Sequence, residues 1–155
     1  MSFYDWMLAL HLLAAFSIAA ALVLYSVLVV AGRRMDTLEQ TRLLFRMAPV
    51  GGPLIGAGIV LVLVLGVVLA IDSAEFQVWD PWVIAAILLW ALFGEVGRRT
   101  GAYYTDTQKL AESGGAGAES EVLARLRAPT GARLHSANVA VFLLLILDMI
   151  FKPGA

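Results

Sequence analysis

Four long apolar stretches, separated by short polar connections, constrain this chain more than any other feature of its sequence. They predict helices over about residues 6–32, 48–71, 82–108 and 130–151. At a rise of about 1.5 Å per residue, such helices are long enough to cross a hydrocarbon layer about 30 Å thick. We therefore predict an all-α polytopic membrane protein, built as an antiparallel four-helix transmembrane bundle, with a single domain over residues 1–155.

The composition favours the same fold class. Hydrophobic residues make up 61% of the chain and charged residues 15%, whereas an ordinary soluble domain has about 25% charged residues. A soluble core of this size cannot bury so much apolar surface, so the lipid bilayer is the predicted partner. The basic residues lie between the apolar stretches, where lipid headgroups would be, and we expect no nucleic-acid partner. The absence of cysteine excludes disulfides and thiolate metal sites.

The first apolar stretch is interpreted as a spanning helix and not as a cleaved signal peptide. It is longer than the apolar core of a signal peptide, which has about 7 to 15 residues. Its start is acidic, with Asp5, and no Lys or Arg precedes Arg33.

Proline and glycine mark the ends of two other predicted helices, since Pro81 is suited to a first helical position and residues 152–154 cannot continue a helix.

Three connections separate the predicted helices. Residues 33–47 predict a short amphipathic helix, and residues 72–80 form an acidic loop. Residues 112–120 are rich in Gly, Ala and Ser and are the predicted flexible stretch. Four apolar residues are available for one face of the short helix: Leu38, Leu43, Leu44 and Met47.

The basic residues predict the orientation, because cytoplasmic loops near helix ends are enriched in Lys and Arg. Of the 11 Lys and Arg residues, four lie in the first connection and six lie on either side of the third, between residues 98 and 133, whereas the second connection has none. Both chain ends and the second connection are therefore predicted outside the cytoplasm. Trp6, Trp79 and Trp82 would then lie at the outer interface, as aromatic belts do.

Ionisable side chains inside apolar stretches are costly, so they mark candidate sites. His11 and Asp148 are predicted near the outer boundary, with Met7 and Met149 close by. Imidazole and thioether groups suit haem iron or copper, so these four residues form the candidate cofactor site.

A second polar layer is predicted near the inner boundary and contains Glu95, His135 and Asn138. His135 is the second candidate metal ligand after His11. About 15 Å along the membrane normal would separate the two histidines, so they should not bind the same iron. One haem with His11 on one face, or two separate sites, both stay open.

Each candidate also has a structural interpretation. His11 can donate to a backbone carbonyl or to Asp148 and so hold the first and fourth helices together. His135 lies one turn from a basic connection and can be interfacial. Ion pairs are also permitted by helical spacing for Glu95 with Arg98 and Arg99, and for Asp148 with Lys152.

A glycine series in the second predicted helix indicates close helix packing, since small residues let backbones approach in lipid. It does not match a phosphate-binding loop, because the Lys-Ser/Thr ending and the strand are missing. No hydrolase motif is present either. The series consists of Gly51, Gly52, Gly56, Gly58 and Gly66.

Four features of the sequence can be compared with known families. They are the histidine early in the first helix (Leu8-Ala9-Leu10-His11-Leu12-Leu13), the basic connection after it, Gly97-Arg98-Arg99 at the third helix and the pattern from Leu145 to Lys152-Pro153. Together they resemble a loose group of small bacterial membrane proteins. The group includes uncharacterised four-helix integral membrane proteins, the copper-resistance D membrane family and the HemJ-type protoporphyrinogen oxidases. The resemblance implies a four-helix bundle in the bacterial inner membrane. For the HemJ-like branch it also implies a b-type haem bound at His11.

Three functions follow as hypotheses. The first is a redox protein or a metal- or haem-handling protein with His11 as a ligand. The second is a non-enzymatic accessory subunit or scaffold of a membrane complex, since no complete catalytic constellation is present. The third is a small transporter using Glu95 and Asp148, which would need a homo-oligomer because four helices per chain are few for a transport path.

Overall fold

A computed structural model describes residues 2–72, 77–115 and 117–154 of the chain. Within these residues it contains six α-helices, one 3₁₀ turn and no β-strand, so the all-α prediction is confirmed. Four of the helical stretches are long and apolar enough to cross a membrane. The helices are α1 (Phe3–Gly32), α2 (Leu38–Met47), α3 (Gly51–Asp72), α4 (Pro81–Ser113), α5 (Ala118–Arg127) and α6 (Pro129–Phe151), with the 3₁₀ turn at Ala48–Val50.

Local sequence signals explain where these helices begin and end. Ser2 and Asp5 form a capping box at the start of α1. Proline occupies the first position of α4 and of α6, where its missing N–H costs little. Gly114, at φ 61°, ends α4 in the left-handed conformation that glycine adopts readily. This helix therefore continues past residue 108, where the sequence placed its end.

Glycine lets α1 and α3 pack closely along their length. A Cβ on Gly58 would lie 2.6 Å from Cγ1 of Ile18, and one on Gly51 would lie 2.9 Å from the Tyr25 ring. Gly66 similarly faces the imidazole of His11. Gly52 and Gly56 have nothing within 4 Å at the same position, so only part of the glycine series packs against α1.

The main apolar core joins this pair of helices to α4 and α6. The rings of Phe93 and Phe142 lie 5.7 Å apart at its centre. The α3–α4 contact is much less extensive than the α1–α3 or α4–α6 contact, and the Trp90 indole N–H donates across it to the carbonyl of Ile59 at 3.1 Å. The buried members of the core are Ile18, Leu22, Ala86, Phe93, Val141, Phe142 and Leu145.

A second, smaller core lies where α2, α5 and the end of α4 meet, and we call this end of the molecule the basic end. Its buried side chains are Phe45, Ala111, Val122 and Leu126. The guanidinium of Arg42 donates to the carbonyl of Ala111 at 2.8 Å, which ties α2 to α4. The first and third connections therefore contribute helices to a packed layer.

This layer revises the predictions for the connections. The short helix over residues 33–47 is present as α2, but it buries Thr41 and Phe45 whereas Leu43 and Met47 are exposed. The proposed single apolar face is therefore wrong. Most of the predicted flexible stretch 112–120 belongs to α4 or α5, and Ala116 lies outside the described residues. In the acidic loop 72–80, residues 73–76 lie outside them as well.

The long helices leave much of their apolar surface uncovered. In the most apolar window between Leu38 and Asp72 only 11% of the residues are buried inside the molecule. Exposed side chains on these helices include Phe16, Val60, Leu88 and Ile150. Exposed apolar side chains of this kind are typical of helices that could cross a membrane.

Candidate functional site

A cavity of about 450 Å³ lies between the α1–α3 pair and the α4–α6 pair, on the side of the basic end. Leu22, Ile55, Ile59 and Phe93 form apolar walls toward the middle of the molecule. Closer to the basic end polar side chains line the cavity together with further apolar ones, which are Leu28, Val29, Leu44, Phe45 and Leu126. The polar lining residues are Tyr25, Arg98, Thr100, Tyr104, Thr105, Gln108, His135 and Asn138.

The cavity exists because glycines line it where larger side chains would fill it. Gly52 on α3 and Gly94, Gly97 and Gly101 on α4 all belong to its wall. A Cβ added to Gly52, Gly94 or Gly101 would have no neighbour within 4 Å. Gly97 differs, because a Cβ there would lie 3.4 Å from the side-chain amide nitrogen of Asn138.

Two buried polar side chains on α6 form the wall opposite these glycines. Nε2 of His135 lies 2.8 Å from the hydroxyl of Ser26, which itself donates to the carbonyl of Leu22 at 2.8 Å. The Ser26 hydroxyl thus bridges the backbone of α1 and the imidazole of His135 on α6. Asn138 is only 3% exposed, yet its Oδ1 has no hydrogen-bond partner among the described residues.

The cavity opens to the outside at the basic end, between the start of α3 and the middle of α4. Pro49 and Gly52 are exposed on one side of this mouth, and Arg98, Gly101 and Thr105 are exposed on the other. The few contacts between α3 and α4 leave this gap.

The predicted inner layer is partly assembled. His135 and Asn138 lie one turn apart on α6 and both line the cavity. Glu95 instead forms ion pairs with Arg98 at 2.8 Å and Arg99 at 2.7 Å, in an exposed position. The ion pairs that helical spacing permitted for Glu95 are therefore present in the structure.

In the predicted outer layer, the structure gives the surroundings of His11 and Asp148 separately. The imidazole packs against Gly66 of α3, near the backbone of Val62, and its Nδ1 has no well-oriented partner among the described residues. Asp148, on α6, is buried, and its backbone carbonyl accepts from the N–H of Lys152 at 2.9 Å. No hydrogen bond joins His11 to Asp148 in the described part of the chain.

The other two residues predicted for this layer are less informative. Met149 is partly buried against the main core, and Met7 is half-buried on α1.

The two histidines lie far apart. His135 contacts Ser26, which is fifteen residues after His11 on α1. At about 1.5 Å per residue this places the two imidazoles about 22 Å apart along the helix. The prediction that they cannot bind one iron together agrees with this geometry.

His11 supplies one imidazole, and the other histidine of the chain, His135, lies at Ser26 and not beside it. Among residues 2–72, 77–115 and 117–154, no three His, Asp or Glu side chains come together in a group that could hold a metal ion. Haem or copper binding at His11 therefore stays a prediction without a supporting contact.

The sequence did not identify Ser26 or the cavity-lining glycines of α4 as site residues. The signal was present in the spacing of Gly94, Gly97 and Gly101, which puts all three on one side of α4. Ser26 is a polar residue near the end of an apolar helix, but its partner on α6 could be found only from the packing.

Comparison with known proteins gives no relative from which function can be inferred: no family model, no curated protein and no solved structure matches the chain. The resemblance to the copper-resistance D and HemJ-type proteins therefore stays a prediction.

Proposed function

We propose that the chain is a multi-pass membrane protein of four antiparallel spanning helices whose basic end faces the cytoplasm. The successive contacts of Tyr25 with Gly51, Ser17 with Gly58, and His11 with Gly66 support opposite directions for α1 and α3. The exposed apolar side chains of the long helices supply the surface that lipid would cover. The basic connections support the orientation, since positive charge favours the cytoplasmic side.

Within this frame, we propose that the protein binds an amphipathic small molecule in the cavity between its two helix pairs. The observation that carries the proposal is a cavity of about 450 Å³ with apolar walls and a buried polar wall at one end. This combination is typical of small-molecule sites, which are mostly apolar and fix their ligand through a few polar groups.

The position of the cavity suits a molecule drawn from the membrane. Its mouth lies between α3 and α4 at the basic end, which the proposed orientation places in the cytoplasmic leaflet. The apolar walls near Phe93 and Ile59 then lie deeper in the bilayer than the polar wall near His135. A bound amphiphile would keep the orientation that it has in that leaflet.

Photolabelling tests this function directly. We would reconstitute the protein in phosphatidylcholine nanodiscs with a long-chain alcohol that carries a diazirine in its chain, irradiate, and map the labelled peptides. Labelling is expected on the cavity-facing parts of α3 and α4.

A matched pair of variants provides the control. Gly94→Leu places a side chain in the cavity, whereas Gly56→Leu adds the same side chain where nothing lies within 4 Å and outside the cavity lining. The first variant should lose cavity labelling and the second should keep it. Equal labelling of both variants would overturn the proposed function.

A further inference from the structure

We infer that the cavity selects an uncharged amphiphile whose head carries a hydroxyl group, and that Asn138 binds this hydroxyl. The inference rests on the proposed ligand-binding function and adds to it the chemical class of the ligand. It is carried by an unsatisfied buried amide in the polar wall and by the near absence of charge in that wall.

Asn138 is the group in the cavity wall that most needs a partner. It is 3% exposed and its Oδ1 forms no hydrogen bond with any described residue. A buried polar atom without a partner costs about 1 to 3 kcal/mol. In contrast, the neighbouring His135 is already paired with Ser26. A ligand that donates to Asn138 would remove this cost.

A hydroxyl group suits this position. It carries one donor and two acceptor lone pairs, so it can donate to the amide oxygen of Asn138 and accept from the amide nitrogen. Asn138 belongs to the cavity lining, and glycine at position 97 puts no side chain between its amide and α4. A ketone or an ester carbonyl can only accept, and it would leave the amide oxygen unpaired.

The charges around the cavity disfavour an ionised head. Arg98 is the one residue of the described lining that carries a formal charge, and its Nε and Nη2 both donate to Glu95, at 2.8 and 2.9 Å. Arg33, at the end of α1, donates to the carbonyl of Ala128 at 3.4 Å. A phosphate or carboxylate placed at Asn138 would therefore be buried without a dedicated cation, which costs several kcal/mol.

The test uses ligands that differ in the head alone. Dioleoylglycerol and dioleoyl phosphatidate have the same chains, but one ends in a hydroxyl and the other in a charged phosphate. Each is added to the nanodiscs as a competitor of the diazirine-bearing alcohol, at equal mole fraction. Oleyl alcohol, in a third arm, shows whether the hydroxyl must be carried by a diacyl lipid or by a single chain.

In the wild-type protein, dioleoylglycerol should compete more than about tenfold better than phosphatidate, because burial of the charge costs more than the about 1.4 kcal/mol that a tenfold change represents. Equal competition by the two lipids would overturn the inference. This comparison needs no variant, so it holds whatever a substitution does to folding.

Two variants of the same shape then test the role of Asn138. Asn138→Val removes the hydrogen-bonding group and should weaken competition by dioleoylglycerol about threefold to tenfold, as expected for one lost hydrogen bond. The threonine side chain of Asn138→Thr has the shape of valine but carries a hydroxyl, so this variant should bind dioleoylglycerol more tightly than the valine variant does. If dioleoylglycerol competes as well in the valine variant as in the wild-type protein, the role of Asn138 is contradicted.

The outcomes separate this inference from the proposed function. If the cavity peptides are labelled and Gly94→Leu abolishes the labelling, but charged and neutral lipids compete equally, the function stands and the hydroxyl assignment fails. If the cavity peptides are never labelled, both fail.

Discussion

Ser26 and His135 form the one side-chain hydrogen bond among the described residues that joins α1 to α6. The sequence predicted that His135 was either a ligand or interfacial, and the structure makes it a buried member of the cavity wall. The reason it was misjudged is that its partner is 109 positions away in the chain. No local pattern reveals such a contact.

Ser26→Ala should therefore destabilise the protein. The substitution leaves Nε2 of His135 without its partner, and a buried polar atom without a hydrogen bond costs about 1 to 3 kcal/mol. Reversible unfolding in mixed detergent micelles would measure this loss. Ser120→Ala, at an exposed hydroxyl on α5, should change the free energy of unfolding by less than about 0.5 kcal/mol. Equal effects of the two substitutions would contradict the role of Ser26.

Other single residues were predicted well where the relevant contact is local. Glu95 lies within one helical turn of Arg98 and Arg99, so spacing alone indicated their ion pairs, which the structure contains. His11 shows the opposite case. Because it is ionisable and lies in an apolar stretch, it was predicted to be a cofactor ligand. In the structure, its nearest described surroundings are Gly66 and the backbone of α3.

At the scale of elements, close packing of α1 on α3 depends on which glycines face the neighbouring helix. Gly58 faces Ile18 and Ser17, but Gly56, two residues earlier, faces open space. The sequence indicated that the glycine series serves packing. It did not distinguish the two positions, because both lie in one apolar stretch that gives no clue to the packed side.

Gly58→Ala and Gly56→Ala should accordingly differ in effect. A Cβ at position 58 would lie 2.6 Å from Cγ1 of Ile18 and 3.1 Å from the backbone oxygen of Ala14, so one helix must shift. Overpacking of this kind costs about 1 to 3 kcal/mol. Thermal unfolding in detergent should show a lower midpoint for Gly58→Ala alone. A similar midpoint for both variants would contradict the packing.

The second core at the basic end gives another prediction. Val122 is fully buried there, and truncation to alanine should cost about 1.5 to 3 kcal/mol. Hydrogen exchange should become faster in α2 and α5 of Val122→Ala, with little change in α3. Leu43→Ala, at an exposed position on α2, serves as the control. Unchanged exchange in α2 and α5 would mean that this layer is not packed as described.

At the scale of the whole molecule, the apolar stretches were sufficient to predict the helical class and the four long helices. Their length and composition are properties of the sequence itself, so the positions of these helices required no tertiary information. The cavity could not be predicted in the same way. It depends on how the α1–α3 pair sits against the α4–α6 pair, and on the small α3–α4 contact that leaves room for it.

The orientation can be tested with single cysteines, since the chain has none of its own. Gln77→Cys, before α4, should react with a membrane-impermeant maleimide in intact cells. Ser120→Cys, on α5, should react only after the membrane is permeabilised. Both positions are exposed. The reverse pattern of labelling would contradict the proposed orientation and place the cavity mouth in the other leaflet.

The most direct measurement of the central claim is native mass spectrometry of the protein extracted from membranes in mild detergent. The wild-type protein and the Gly56→Leu variant should each retain about one small amphiphile per chain, whereas the Gly94→Leu variant should carry none. A bound amphiphile retained equally by Gly94→Leu, or absent from the wild-type protein, would contradict the claim that the cavity between the helix pairs is a ligand-binding site.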